Sequence, residues 1–211
     1  MPRRKKQRIG ELAGMPHVFV WPEESPELRD FALCRPLVLD LGCGRGDTTV
    51  AMAELDPERH YLGVDLKGAR LHRGAEVARQ SRLANVAFAV HTVLELDRLL
   101  PEQVCVEGWL LFPDPYPKQR ASKHRLISPG YLEVYRRLMR RGARIHLKTD
   151  SPLLFEYGLR TLRRQGCMVH DVVRDLPPSA ESGCLRAVQS AYETRFRQEG
   201  RAIHYLSFEV H

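Results

Sequence analysis

Cysteine is scarce and scattered: Cys34, Cys43, Cys105, Cys167 and Cys184 include no Cys-x-x-Cys pair, which excludes a zinc ribbon and leaves no even set for a disulfide framework. No stretch comes near the roughly 20 consecutive apolar residues of a membrane helix. The basic start is not followed by an apolar segment of signal-peptide kind, so a cytoplasmic protein is expected, with no membrane partner and no metal. No internal repeat is present. What remains is a chain of 211 residues, 43% of them hydrophobic, enough for one domain with a full core. Its net charge of +7 points to an anionic partner, and nucleic acid comes before membrane.

The most informative stretch is Leu37-Val38-Leu39-Asp40-Leu41-Gly42-Cys43-Gly44-Arg45-Gly46, a short apolar run that ends in an acid and three alternate glycines. That pattern is a strand entering a ligand-holding turn, because glycine permits positive φ and close approach of backbone to ligand. Asp47-Thr48-Thr49 then offers capping side chains for a helix. A dinucleotide site wants Gly-x-Gly-x-x-Gly with a pyrophosphate on the helix N-terminus. Here the third glycine comes one residue early and Asp47 stands where a pyrophosphate would sit, which disfavours NAD. The form Asp-x-Gly-x-Gly-x-Gly resembles the first motif of Rossmann-like S-adenosylmethionine-dependent methyltransferases, whose ligand carries an ammonium that acids attract.

Downstream, short apolar runs alternate with helical patterns, which gives an α/β fold with a mainly parallel sheet. His60 to Asp65 reads as a second strand whose terminal acid lies about 20 residues after the turn, as a ribose-binding carboxylate should. Strands follow over Val86–His91, Val104–Phe112, Ala143–Asp150, Cys167–Val173 and Ala202–Val210, and a helix over Ser128 to Gly142. Residues 37–211 are expected to form the catalytic domain, and 1–36 a mobile basic arm (Arg3, Arg4, Lys5, Lys6) followed by a lead-in. Residues 177–183 read as loop, and 187–199 as helical or extended. The strand ending at Phe112 runs into Pro113-Asp114-Pro115-Tyr116-Pro117-Lys118, where three prolines can continue neither helix nor strand. They stiffen a loop that presents Asp114, Tyr116 and Lys118 at the carboxyl edge of the sheet, as a site that orients a base beside a methyl donor requires.

Three motifs in order make the resemblance specific. They are Phe-Pro-Asp-Pro-Tyr-Pro-Lys-Gln-Arg with Lys123, Arg125 and Leu126; His146-Leu147-Lys148-Thr149-Asp150 with Phe155-Glu156-Tyr157; and Tyr192-Glu193-Thr194-Arg195-Phe196. Together they resemble the bacterial tRNA (guanine-N7-)-methyltransferases, which methylate a guanine in the tRNA variable loop. The resemblance implies a class I fold with a seven-stranded sheet, helices on both faces, and tRNA as partner of a monomer or homodimer. It implies S-adenosylmethionine held by Asp40, Gly42, Gly44, Asp65, Thr92 and Asp114, with S-adenosylhomocysteine as product. Asp114 would also be the active-site acid. Lys118, Asp150, Ser190, Ala191, Tyr192 and Glu193 would meet the substrate, and Arg120, Lys123, His124 and Arg125 the RNA. The chain departs from the pattern at Tyr116 for tryptophan, Thr92 for an acid, Gln119 and His124 for basic residues and Ser190 for threonine.

Guanine N7 carries a lone pair and no proton, so it attacks a sulfonium methyl without a strong general base. The ring gains positive charge as it does so, and Asp114 or Asp150 would stabilise it. Two other readings compete: an amino-methyltransferase of another base, since Asp114-Pro115-Tyr116 loosely resembles Asp-Pro-Pro-Tyr, and an RNA-binding protein that holds S-adenosylmethionine without turnover.

Overall fold

Leu37–Leu41 is buried at every residue, the mark of a strand covered on both faces by helices, and it lies at the centre of the sheet. The computed structural model describes residues 3–177 and 190–211, with the backbone alone for 3–6 and 191. In chain order the strands are β1 (Val18–Val20), β2 (Leu37–Leu41), β3 (His60–Asp65), β4 (Val86–Val90), β5 (Cys105–Leu111), β6 (Met139–Thr149), β7 (Met168–Val173) and β8 (His204–Glu209). They form one sheet in the order β1-β4-β3-β2-β5-β6-β8-β7, parallel except where β8 pairs antiparallel with β6 and β7. The helices are α1 (Arg3–Leu12), α2 (Pro26–Cys34), α3 (Asp47–Leu55), α4 (Gly68–Gln80), α5 (Leu96–Leu99), α6 (Pro129–Leu138), α7 (Pro152–Arg164) and α8 (Ala191–Gln198).

Alternation along each strand feeds two cores. Leu39, Leu147 and Phe208 face a layer with Leu28, Phe31, Leu132 and Phe155 of α2, α6 and α7. Val38, Phe88 and Trp109 face Leu12, Met52 and Leu71 of α1, α3 and α4. Helices therefore cover both faces, as expected for the α/β class.

The sheet has eight strands where seven were expected, because β1 adds a short parallel edge to β4. Residues 3–36 carry two helices and the edge strand. α1 is helical despite its run of like charge, held by the buried Leu12 and by Glu11, whose Oε2 lies 2.8 Å from His72 Nε2 of α4. α2 is capped by Ser25, whose Oγ accepts from Leu28 N at 3.2 Å, and it buries Leu28 and Phe31. The helix expected through Gly142 stops at Leu138, and Met139 already pairs with Cys105 as β6 begins. The register shifts between Cys105, which pairs with Met139, and Glu107, which pairs with Arg144, and Gly142, at φ 81°, lies in the stretch between those partners. Cys184, the loop expected over 178–183 and the helical start expected at 187–189 lie outside the described residues.

Candidate active site

The glycine turn closes the carboxyl end of β2 and needs glycine at its ends. Gly42 and Gly46 have φ 76° and 74°, and a Cβ there would stand 2.9 Å from Leu126 Cδ1 and 2.5 Å from Phe88 Cε1. The cap expected from Asp47-Thr48-Thr49 is absent: Gly46 is the N-cap and no side chain bonds to the helix start. Thr49 is spent instead on Asp40, donating from Oγ1 to Oδ2 at 2.7 Å.

Asp40 is 1% exposed, and its Oδ1 is one of two buried side-chain polar atoms without a hydrogen-bond partner among the described residues. Burial pushes its carboxyl up to about 7, with the Thr49 hydrogen bond opposing and the nearby Asp65 charge reinforcing the rise. A buried acceptor left open beside a cleft is costly unless a ligand donates to it. Asp65, at the end of β3, is fixed by backbone donors, Gly44 N to Oδ2 at 3.0 Å and Lys67 N to Oδ1 at 2.7 Å. Its carboxylate is thus locked across the turn.

The proline loop forms the facing wall. Phe112 and Tyr116 sit at φ 50° and 42°, a conformation costly for residues with a Cβ that neighbouring contacts must hold. Phe112 N donates to Lys148 O at 2.8 Å. Arg125 donates from Nε to Pro115 O at 2.9 Å and from Nη2 to Tyr116 O at 2.8 Å, with its guanidinium 4.2 Å above the Tyr157 ring. Expected on the RNA, Arg125 is 3% exposed and pins the loop from inside. Asp114 remains exposed at the loop tip, its Oδ2 3.8 Å from Lys67 Nζ. Burial, then the Asp114 and Asp65 charges, raise the Tyr116 hydroxyl above its ordinary range, so Tyr116 stays a neutral aromatic there.

The third wall is the end of β6 with α8. Ser190 caps α8, its Oγ accepting from Glu193 N at 3.1 Å, while Ala191 opens the helix and Tyr192 stands 49% exposed over the cleft. Glu193, expected to meet substrate, is turned inward: it is 2% exposed, 2.9 Å from Lys148 Nζ and 2.7 Å from Arg197 Nη2. This ion triad docks α8 onto β6, because breaking one partner leaves an uncompensated buried charge. Asp150 directly follows β6 at the cleft and accepts from Arg201 Nη1 at 2.8 Å.

The three walls enclose a cleft of about 810 Å³ in which Asp40, Asp65, Asp114 and Asp150 all take part, with Gly42, Gly44, His124, Ser190 and Tyr192. Thr92 is not in its lining; its Oγ1 accepts from Leu94 N at 3.3 Å, while its neighbours His91 and Val93 face the cleft. Lys118, Arg120 and Lys123 are exposed on the flank, in and just before a 3-10 turn over Gln119–His124, and do not line the cleft either. Lys67, His91 and Arg201 line it without having been singled out as site residues in the sequence, and so does Arg195, quoted there only as part of the third motif. Among the described residues no cluster of His, Cys, Asp and Glu has the makings of a metal site, and no helix is long and apolar enough to cross a membrane.

A family model described as "Putative methyltransferase" matches residues 34–206. A tRNA (guanine-N(7)-)-methyltransferase of Porphyromonas gingivalis is 37% identical over 92% of this chain and 84% of its own. One of Bacteroides fragilis is 33% identical over 99% and 86%. Among solved structures, the 16S rRNA methyltransferase KamB superposes with a TM-score of 0.65 at 17% identity, over 89% of this chain and 94% of that one. The antibiotic-resistance methyltransferase Kmr gives 0.61 at 20% identity, over 90% and 92%. At that identity the structural likeness speaks for the fold alone.

Proposed function

We propose, because this chain belongs to the tRNA (guanine-N7)-methyltransferase family, that it transfers a methyl group from S-adenosylmethionine to N7 of a guanine in tRNA, leaving 7-methylguanosine. The observation that carries the reading is the meeting of four carboxylates in one cleft behind a glycine turn, with Asp40 Oδ1 buried and unpartnered.

The residues fit the methyl donor. The turn at Gly42 and Gly44 leaves room that a Cβ would fill, Asp40 offers an open carboxylate oxygen to an ammonium, and Asp65 offers its remaining lone pairs to a ribose diol. S-adenosylmethionine supplies an electrophilic methyl on a sulfonium. The chain's task is then alignment and charge. Asp114 and Asp150 oppose the positive charge that grows on a purine alkylated at N7, and either can accept from the purine's N–H edge. Tyr192 and Tyr116 offer aromatic faces to hold the ring. Ser190 and the backbone of Ala191 sit beside Tyr192 at the substrate side. Lys118, Arg120, Lys123 and His124 form the exposed flank that would meet the RNA backbone.

Purified protein incubated with bulk tRNA and methyl-labelled S-adenosylmethionine tests this. Label in tRNA that is released by chain scission selective for 7-methylguanosine supports the reading. Label in N6-methyladenosine, or binding of both ligands with no transfer, overturns it, and Asp114→Ala serves as the inactive control.

A further inference from the structure

Arg201 belongs to no sequence motif, yet it ties the end of β6 to α8 and, through Phe196, reaches the residue that leads into the proline loop. Gly200, at φ 71°, turns the chain out of α8, and Arg201 N donates back to Phe196 O at 2.9 Å. Its Nη1 reaches Asp150 Oδ2 at 2.8 Å and its Nη2 reaches Glu199 Oε2 at 2.8 Å. The guanidinium carbon lies 4.8 Å from the centre of the Phe196 ring, and Phe196 tilts against Phe112 at 5.6 Å, the residue that leads into Pro113-Asp114. A planar cation is thereby fixed by two carboxylates and an aromatic face, a geometry the point charge of lysine does not reproduce. The side chain is 48% exposed, and exposed ion pairs add little to stability. What the arrangement supplies is orientation.

We propose, resting on the methyl-transfer reading above, that Arg201 is the positioning residue for Asp150. By engaging Oδ2 it sets the carboxylate so that Oδ1 accepts from the N–H edge of the purine. Nothing in the sequence motifs assigns it that role.

The test is a double-mutant cycle on the full chain, read as single-turnover methyl transfer at saturating tRNA and S-adenosylmethionine. Arg201→Met should slow transfer about tenfold or more, since small displacements of a reacting pair are costly. Arg201→Lys should recover part of the rate. In an Asp150→Ala background Arg201→Met should add little, because the partner it positions is gone. Melting temperature and S-adenosylmethionine affinity should stay at wild-type values. An additive cycle overturns the inference, and so does an unchanged saturated rate with weaker, less salt-dependent tRNA binding, which would make Arg201 a phosphate contact. A wild-type protein that transfers no methyl to tRNA overturns the functional reading and this inference with it.

Discussion

Arg125 and Tyr116 are joined from inside the protein: the Arg125 guanidinium donates to the Tyr116 carbonyl at 2.8 Å and to the neighbouring Pro115 carbonyl at 2.9 Å. A basic residue in a cationic loop thus serves the backbone that displays Asp114. Replacing it with Met strands both carbonyls, at a cost of about 2–4 kcal/mol for two charge-assisted hydrogen bonds. Thermal melting should show that loss, and methyl transfer should fall with it. The salt dependence of tRNA binding should not change, as it would for a phosphate contact.

Glu193 gives a companion expectation on the other wall. With Lys148 and Arg197 at hydrogen-bond distance and 2% exposure, Glu193→Gln or Lys148→Met breaks a buried ion network and should destabilise the protein by about 3–5 kcal/mol. Denaturant unfolding without any ligand reads this directly. A residue that only touched substrate would leave that curve in place.

Arg120 and Lys123 are exposed on the flank of the cleft. Alanine at either should lower the slope of log affinity for tRNA against log salt by about 0.7–0.9 per lost phosphate contact. Stability should move by less than about 0.5 kcal/mol, as for other exposed substitutions. Filter binding across a salt series checks the first, and melting the second.

Asp40 links binding to pH. Its carboxyl is held up to about 7 in the folded chain against an ordinary 3.8, so the folded state takes the proton more readily than the unfolded one. The stabilisation this brings is full below the ordinary value and is lost as pH rises through about 7. Asp40→Asn removes the effect, so the unliganded variant should gain on wild type in melting temperature between pH 5 and pH 8. A cationic ligand requires the ionised form. Wild-type affinity for S-adenosylmethionine should therefore weaken below about pH 7, approaching about tenfold per pH unit, in calorimetric titrations.

Much of this site is legible in the sequence because its signals are local. The strand ending at Asp40, the alternate glycines and the prolines around Asp114 each dictate backbone shape by themselves, and the sheet order then brings the strand ends together. What is hidden depends on tertiary packing. Arg120, Lys123 and Arg125 look alike along the chain, and only the Tyr157 ring and two loop carbonyls draw Arg125 inside. Glu193 reads as a motif acid until Lys148 is found beneath it. Arg201 lies 51 residues from Asp150 with no spacing to betray the pair. The charge run of α1 argues locally against a helix, and burial of Leu12 against the α4 face overrides it. Three-residue β1 is too short to carry a period.

That N7 of guanine is the nucleophile can be tested at the atom itself. Two transcripts of the same tRNA are offered with labelled S-adenosylmethionine, one with ordinary guanosine and one with 7-deazaguanosine, in which a C–H replaces N7. The ordinary transcript should take up label and the deaza transcript none, while both bind with similar affinity. Equal labelling of the two would contradict methylation at N7.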